Sequence, residues 1–389
     1  MRVLRTLSTT RLVALSVTVV ALFSAVAALA VAAPGSGGDP PPPKPLADAI
    51  HDALTAPPVG GVTARVTFTN RLFQSGALLG NAGPVLVSGG SGRLWATGDG
   101  RGRIELQSNA GDAQIVWTKS DLSVYDASSN IVYHALLPVS QPGSASPDTP
   151  PSLARITDLL TQLGTHATLS GAEPTMVSGT PAYDVSISPK RDGGLVGSVE
   201  LAWDAARGVP LRIAVRAQGV TSPVLELVVT DISYGPVDPA VVDVNLPASA
   251  KLVETGKLVQ DSGAKEGGAV TALAETQAAA GFPVIAPDAL VGLPRRDVRL
   301  VGDSETPTVI VTYGQGLGAI VVAERSATPA GDSGGMLGAL PAVSLDGVPA
   351  HELATQLGTI VAWERDGVSI TLAWSAPAAA AETAARHLR

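Results

Sequence analysis

Apolar and polar residues alternate along much of this chain, and the alternation predicts strands. Between Gly61 and Thr69, Val62, Ala64, Val66 and Phe68 alternate with Thr63, Arg65, Thr67 and Thr69, so this segment has one buried and one wet face. Turn residues separate further runs of the same kind. Leu94 and Trp95 lead into Gly98-Asp-Gly100 and then Arg103–Gln107, Gly111-Asp112 precedes Gln114–Thr118, and Leu122–Tyr125 and Ile131–Tyr133 flank Ser128-Ser-Asn130. This is the pattern of an antiparallel meander, and it resumes at 182–187, 199–203, 211–216 and 224–230.

Helical spacing interrupts the strands. Leu46, Ile50 and Leu54 share one face of Leu46–Thr55. Leu153, Ile156, Leu159, Leu160 and Leu163 make a longer apolar stripe, with Thr149 expected as its cap and Pro150 in its first turn. Residues 251–281 shift to Lys, Glu, Gly and Ala and read as a polar linker, with a helix expected over Ala269–Ala280. A smaller unit starts at Phe282, with strands expected at 297–301, 308–313, 319–323, 359–363 and 369–374 and an Ala-rich helix at 378–388. The pattern predicts an α+β body, mainly antiparallel, in two units spanning 46–250 and 282–389.

The amino terminus has a different character. Arg2, Arg5 and Arg11 precede an uncharged apolar run, Leu12 to Ala33. A secretory core is about 7–15 residues long and a spanning helix about 20, so the length favours an uncleaved signal anchor over a cleaved signal peptide. The arginines keep the amino terminus inside, which predicts a single-pass cell-membrane protein with residues 34–389 extracytoplasmic. Ala28-Leu-Ala30 and Val31-Ala-Ala33 resemble cleavage sites, and a chain cut there would be secreted. Residues 34–45, PGSGGDPPPPKP, read as a tether that holds the body off the bilayer.

Composition removes several functions. The net charge is −8 and acids outnumber bases in both units, which argues against a nucleic-acid partner. Aromatic residues are 4% of the chain, too few for a base-stacking surface. The absence of cysteine excludes disulfides, thiolate metal sites, a cysteine nucleophile and a lipid-modified cysteine. The five histidines, His51, His134, His166, His351 and His387, are scattered, and neither a metal nor a cofactor is expected.

Apparent catalytic motifs dissolve on inspection. Gly331-Asp-Ser-Gly-Gly335 matches the string around a serine-protease nucleophile, but no histidine stands in a matching context, and the string is ordinary turn chemistry. Gly314-Gln-Gly-Leu-Gly318 leads into another strand, so it lacks the helix amino terminus of a dinucleotide loop and reads as a hairpin. Gly89-Gly-Ser-Gly92 lacks the Lys-Ser or Lys-Thr of a phosphate loop. Alternation puts Asp184, Asp204 and Glu105 on polar, solvated strand faces, and Trp95, Trp117 and Trp203 on apolar ones. No base–nucleophile pair emerges, and the expectation is a protein that is not an enzyme.

Several segments carry a family likeness. They are Gly179-Thr-Pro-Ala-Tyr-Asp-Val-Ser-Ile-Ser-Pro189, Val199-Glu-Leu-Ala-Trp-Asp204, Gly208-Val-Pro-Leu-Arg212, Tyr234-Gly-Pro-Val-Asp-Pro-Ala and Asn245-Leu-Pro-Ala. With Arg101–Gln107, Gly111–Val116 and Val124–Asn130, they resemble the LolA/RseB-like lipoprotein-carrier superfamily, in its actinobacterial form, over roughly residues 46–250. Phe282–Leu290, Val348–Leu353 and Trp363–Val368 resemble an appended small domain of unknown function.

The resemblance implies a strongly curved antiparallel half-barrel wrapped around helices, with an apolar cavity that takes a lipid or lipoprotein acyl chain. Its other implied role is that of a sensor that binds a transmembrane partner such as an anti-sigma factor. The large apolar strand residues Val66, Phe68, Leu106, Trp117, Tyr183 and Trp203 are the expected lining of that cavity. An anchored body with a second unit departs from a freely shuttling carrier.

Overall fold

The computed structural model describes residues 38–72, 85–109, 111–137, 151–190, 194–244, 246–254, 273–301, 307–327 and 340–388. The apolar run Leu12–Ala33, Thr149, Pro150 and Gly331–Gly335 lie outside these residues. No described helix is long and apolar enough to cross a membrane. The body is mostly β, with a curled antiparallel half-barrel sheet and few helices.

In chain order the first part comprises α1 (Leu46–Thr55), β1 (Gly61–Asn70), α2 (Val85–Ser88), β2 (Gly90–Thr97), β3 (Gly102–Ser108), β4 (Gly111–Trp117), β5 (Asp121–Asp126) and β6 (Ile131–Leu136). Then follow α3 (Leu153–His166), β7 (Ala167–Leu169), β8 (Glu173–Val177), β9 (Thr180–Pro189), β10 (Val196–Asp204), β11 (Pro210–Ala217), β12 (Leu225–Tyr234), α4 (Pro239–Val242) and β13 (Lys251–Glu254). They build one 13-stranded sheet in the order β13-β6-β5-β4-β3-β2-β1-β12-β11-β10-β9-β7, with β8 also on β9. Two meanders therefore meet at a single seam, where β1 pairs antiparallel with β12. Lys251–Glu254, which composition assigns to the linker, extends the sheet as a strand parallel to β6.

The register explains the alternation. Val62, Ala64, Val66 and Phe68 share a face with Leu94 and Ala96 of β2, Ile104 and Leu106 of β3, and Ile115 and Trp117 of β4. Across the seam Phe68 opposes Leu227, which opposes Ile213, then Leu201, then Val185. One apolar inner face thus runs through both meanders. Glycines let it curl: a Cβ on Gly92 would meet the Glu105 carbonyl oxygen at 1.6 Å, and one on Gly102 would meet the Trp117 ring at 2.1 Å.

α3 begins where its hydrogen bonds are satisfied. Ser152 Oγ accepts the Arg155 N–H at 3.3 Å, so Ser152 caps this helix in place of the expected Thr149. Only Ile156 of the stripe is buried, while Leu153, Leu159 and Leu163 are 40%, 49% and 40% exposed.

The second part comprises α5 (Leu273–Ala280), β14 (Ala289–Leu290), β15 (Leu293–Val301), β16 (Thr308–Tyr313), β17 (Ile320–Ser326), β18 (Ala342–Leu345), β19 (Val348–Thr355), β20 (Gly358–Arg365), β21 (Val368–Trp374) and α6 (Ala378–His387). Its eight strands run β14-β15-β16-β17-β21-β20-β19-β18. β16 and β17 form the hairpin expected around Gly314–Gly318. Tyr313, Val322, Val361, Ile370 and Leu372 pack with Ala381 and Ala384 of α6 and Ala280 of α5. The two parts touch at two places. Leu195 N–H donates to Ser375 O at 3.1 Å, and Gln356 Nε2 donates to Arg71 O at 2.8 Å, with Leu357 against the first core.

Candidate ligand-binding site

The six expected lining residues lie on one face of the sheet. Val66, Phe68, Leu106 and Trp117 pack in the main core, and their exposure does not exceed 4%. Tyr183 and Trp203, cross-strand partners on β9 and β10, pack at the far end of the same face with Ala49 of α1. Their ring centroids are 6.2 Å apart. Leu201 touches both clusters and joins them. α2, whose Val85, Leu86 and Val87 are buried, packs on β1, β3 and β4 at the end of this face nearest Phe68. Sequence periodicity misses α2, because four residues are too short to express a helical period. The apolar Val85-Leu-Val87 before Ser88-Gly89 is its one trace in the sequence.

A short relay holds α2 in place. Asn70 Nδ2 donates to the Leu86 carbonyl at 2.8 Å, and Asn70 Oδ1 accepts the Leu72 N–H at 2.9 Å. Arg71, between them, carries the carbonyl that Gln356 of the second part engages.

At the Tyr183 end the tether is strapped down. Tyr183 Oη donates to the Pro42 carbonyl at 2.7 Å, Lys44 bridges to Ala172, and Lys44 Nζ meets Asp52 of α1 at 2.6 Å and lies 5.4 Å from the Tyr183 ring. The hydrogen bond to Asp52 raises the Lys44 pKa. Part of the expected free spacer is thus part of the folded body, and α1 packs on α3 beside it.

The opposite face carries the charges. Arg212 bridges Glu226 at 2.7 Å, Glu200 at 2.9 Å and Asp184 at 3.3 Å, and Arg216 joins Glu200. Burial pushes the Asp184 carboxyl above its usual range, with Arg212 opposing. Burial also opposes ionisation of Glu200, but hydrogen bonds from Arg216 and Arg212 outweigh it and hold its carboxyl below that range.

Three sequence expectations need correction here. Asp204 is buried, not solvated: it ends β10 and accepts from Ala206 N–H, Arg207 N–H, Arg207 Nη1 and, at 2.6 Å, Tyr234 Oη. A strand-end carboxylate holding a turn escapes the alternation rule, because the chain has left the sheet. Asp184 is half-buried, in the network just described. Trp95 sits on the outer face beneath Arg103, 5.5 Å away, since it pairs with Thr63 and not with an inner residue. Glu105 is paired with Arg103 on that same face.

His134 and Asp121 meet at 3.2 Å, but Thr118 and Ser120 donate to the other oxygen of that carboxylate, so the acid serves a turn. No group of acids and histidines that could hold a metal exists among the described residues.

The second part buries polar groups differently. Glu324 on β17 is 0% exposed; its Oε2 accepts the Ile285 N–H at 2.8 Å, and its Oε1 has no partner. Burial pushes its pKa up to about 7. Tyr313 Oη and Thr276 Oγ1 are likewise buried without partners. Burial raises the Glu352 pKa, and the neighbouring Glu382 adds to it. A cavity of about 200 Å³ lies between β18, β20 and α6, floored by Leu345, Trp363 and Leu388 and rimmed by Asp346, Arg365 and Arg386.

No family model and no curated protein matches the chain. Among solved structures it is similar to MucB in complex with MucA(peri), at 15% identity over 88% of this chain and 96% of that chain, with a TM-score of 0.43. The Pseudomonas aeruginosa MucA/MucB complex is similar at 15% identity over 87% and 94%, again with 0.43. A putative outer membrane lipoprotein-sorting protein domain from Vibrio parahaemolyticus is similar at 10% identity over 47% and 89%, with 0.22.

Proposed function

We propose that this chain is a non-enzymatic, extracytoplasmic, membrane-anchored protein that binds a lipid or lipoprotein acyl chain on the inner face of its half-barrel. The observation that carries the reading is the unbroken apolar face from Trp117 on β4 to Tyr183 on β9. Seven interstrand steps of about 4.8 Å make it about 34 Å long. It is covered by α2 at one end and α1 at the other, and an acyl chain entering there takes the place of the four-residue α2. Each methylene buried contributes about 0.8 kcal/mol. Native mass spectrometry of the membrane-extracted full chain tests this. A bound lipid, displaced by a fluorescent fatty acid, is expected; an empty protein that takes up no fatty acid refutes it.

A second reading, a sensor that pairs with a transmembrane protein, is favoured by the contact between the parts. A ligand that displaces α2 disturbs Asn70, and the next residue, Arg71, is the one Gln356 holds. Hydrogen exchange at Gln356–Leu357 is expected to rise when fatty acid binds. Unchanged exchange would leave simple carriage as the role.

A further inference from the structure

We propose that α3 lies against the membrane surface, with Leu159 and Leu163, 49% and 40% exposed, at the boundary between headgroups and acyl chains. The inference rests on the reading of Leu12–Ala33 as an anchor, and three independent observations point to it. The first is reach. Pro42 is fixed to the body by Tyr183, so the chain from Ala33 to Pro42 spans at most about 30 Å. A body of this size has a radius of gyration of about 20 Å and so a diameter of about 50 Å, and a tether well short of that diameter keeps Pro42 on the side of the body toward the bilayer. The second is placement: α3 packs on α1, the helix to which Lys44 of the strapped tether is joined, so α3 belongs to that end.

The third is chemistry. At 100° per residue, Ile156 and Leu160 form the row turned to the body, and Leu159 and Leu163 form the adjacent row, turned outward. Arg155 and His166 border the leucine row on its far side, while Asp158 and Thr161 lie round the helix from it. Lys190 donates to the Gly164 carbonyl and adds a cation at the end of the helix. A leucine row bordered by cations is the composition of a helix lying on an anionic bilayer. The chain between β6 and α3 begins with Leu137, which packs on the main core, and beyond it contains one large apolar residue, Val139, so it is chemically a poor cover for the two leucines.

The native chain contains no cysteine, so a single introduced one reports one position. Full-length Leu159→Cys, with Leu163→Cys as a second site and Thr161→Cys as the control on another side of α3, is labelled with an environment-sensitive dye. Each is reconstituted into phosphatidylcholine–phosphatidylglycerol vesicles with and without doxyl-labelled lipid. Doxyl lipid is expected to quench the dye at 159 and 163 several-fold more than at 161. Equal quenching at all three positions overturns the proposal. So does shielding at 159 that ignores doxyl lipid and grows with the protein-to-lipid ratio, the signature of a second copy. Amino-terminal sequencing of the same sample reads the anchor separately. A chain beginning at Val31 or Pro34 refutes the anchor alone, and the same dyes then report whether the released body docks on added vesicles.

Discussion

The two sheets treat their most deeply buried carboxylates in opposite ways. In the half-barrel, Asp204 receives two backbone N–H groups, a guanidinium and a phenol, and Asp126 is met by Ser128 and Ser129. In the C-terminal sheet, Glu324 receives one backbone N–H, and Glu352 faces a second acid, Glu382. Donors offset the burial of a carboxylate, and burial with a single donor in an apolar core disfavours its charged form. The half-barrel therefore surrounds Asp204 and Asp126 with donors. The C-terminal sheet leaves Glu324 with one, and that carboxyl holds a proton that the surrounding pH can remove.

The comparison can be broken at its strongest point first. Asp204→Ala leaves Arg207 buried without its counter-charge and Tyr234 Oη without its acceptor. It should destabilise the half-barrel by about 3–5 kcal/mol, seen as an earlier midpoint in urea with β10–β12 losing hydrogen-exchange protection first. A loss below 1 kcal/mol would mean that the satisfied charge is dispensable.

Next comes pH. Glu324 titrates near 7 when folded and near 4.5 when unfolded, so the folded state binds the proton more tightly. Its stabilisation is complete below about pH 4.5, falls as pH rises, and is lost above about 7, a total of about 3 kcal/mol. Glu324→Gln keeps an acceptor for Ile285 and removes the titration. It should match the native chain at pH 4 and exceed it by about that amount at pH 8, read from exchange in β16 and β17. Parallel pH curves for the two proteins would show that the carboxyl is solvated.

Gly102→Ala sharpens the contrast on the packing side. Its methyl collides with the Trp117 ring, so a loss of about 1–3 kcal/mol and a shifted tryptophan emission are expected. The smallest effect belongs to Ser152→Ala, which removes the cap of α3 at a cost of about 1 kcal/mol and should fray only its first turn. Uniform loss of protection along α3 would instead make the cap a nucleus for the whole helix.

Much of this architecture was legible before any coordinates. β1 and β3 to β5 announce themselves because one face is buried and the other wet, whereas β6 buries Ile131, Val132 and Tyr133 in succession. Size and apolarity, not parity, picked out the six residues, and the register places them on one face. Parity failed where local rules govern. α2 is one turn long, β8 and β19 carry Pro174 and Pro349, and β13 owes its existence to an edge 120 residues earlier. Asp204 misled because its side chain belongs to a turn. The coupling of Asn70 and Arg71 to Gln356 was illegible for a different reason: it joins residues 285 positions apart through backbone carbonyls, which leave no mark on side-chain pattern.

The seam between β1 and β12 also governs how the half-barrel is made. Val62 waits for Tyr234, which a ribosome working at about 5–20 residues per second supplies roughly 10–30 s later. Until then the first meander ends in an unpaired strand with a Val, Ala, Val, Phe face, the kind of edge that recruits neighbouring chains. Long-range pairing of this kind is slow even once the whole chain is present, because loop closure must precede the contacts that reward it. The half-barrel is thus most vulnerable to aggregation during its synthesis, before β12 closes the edge.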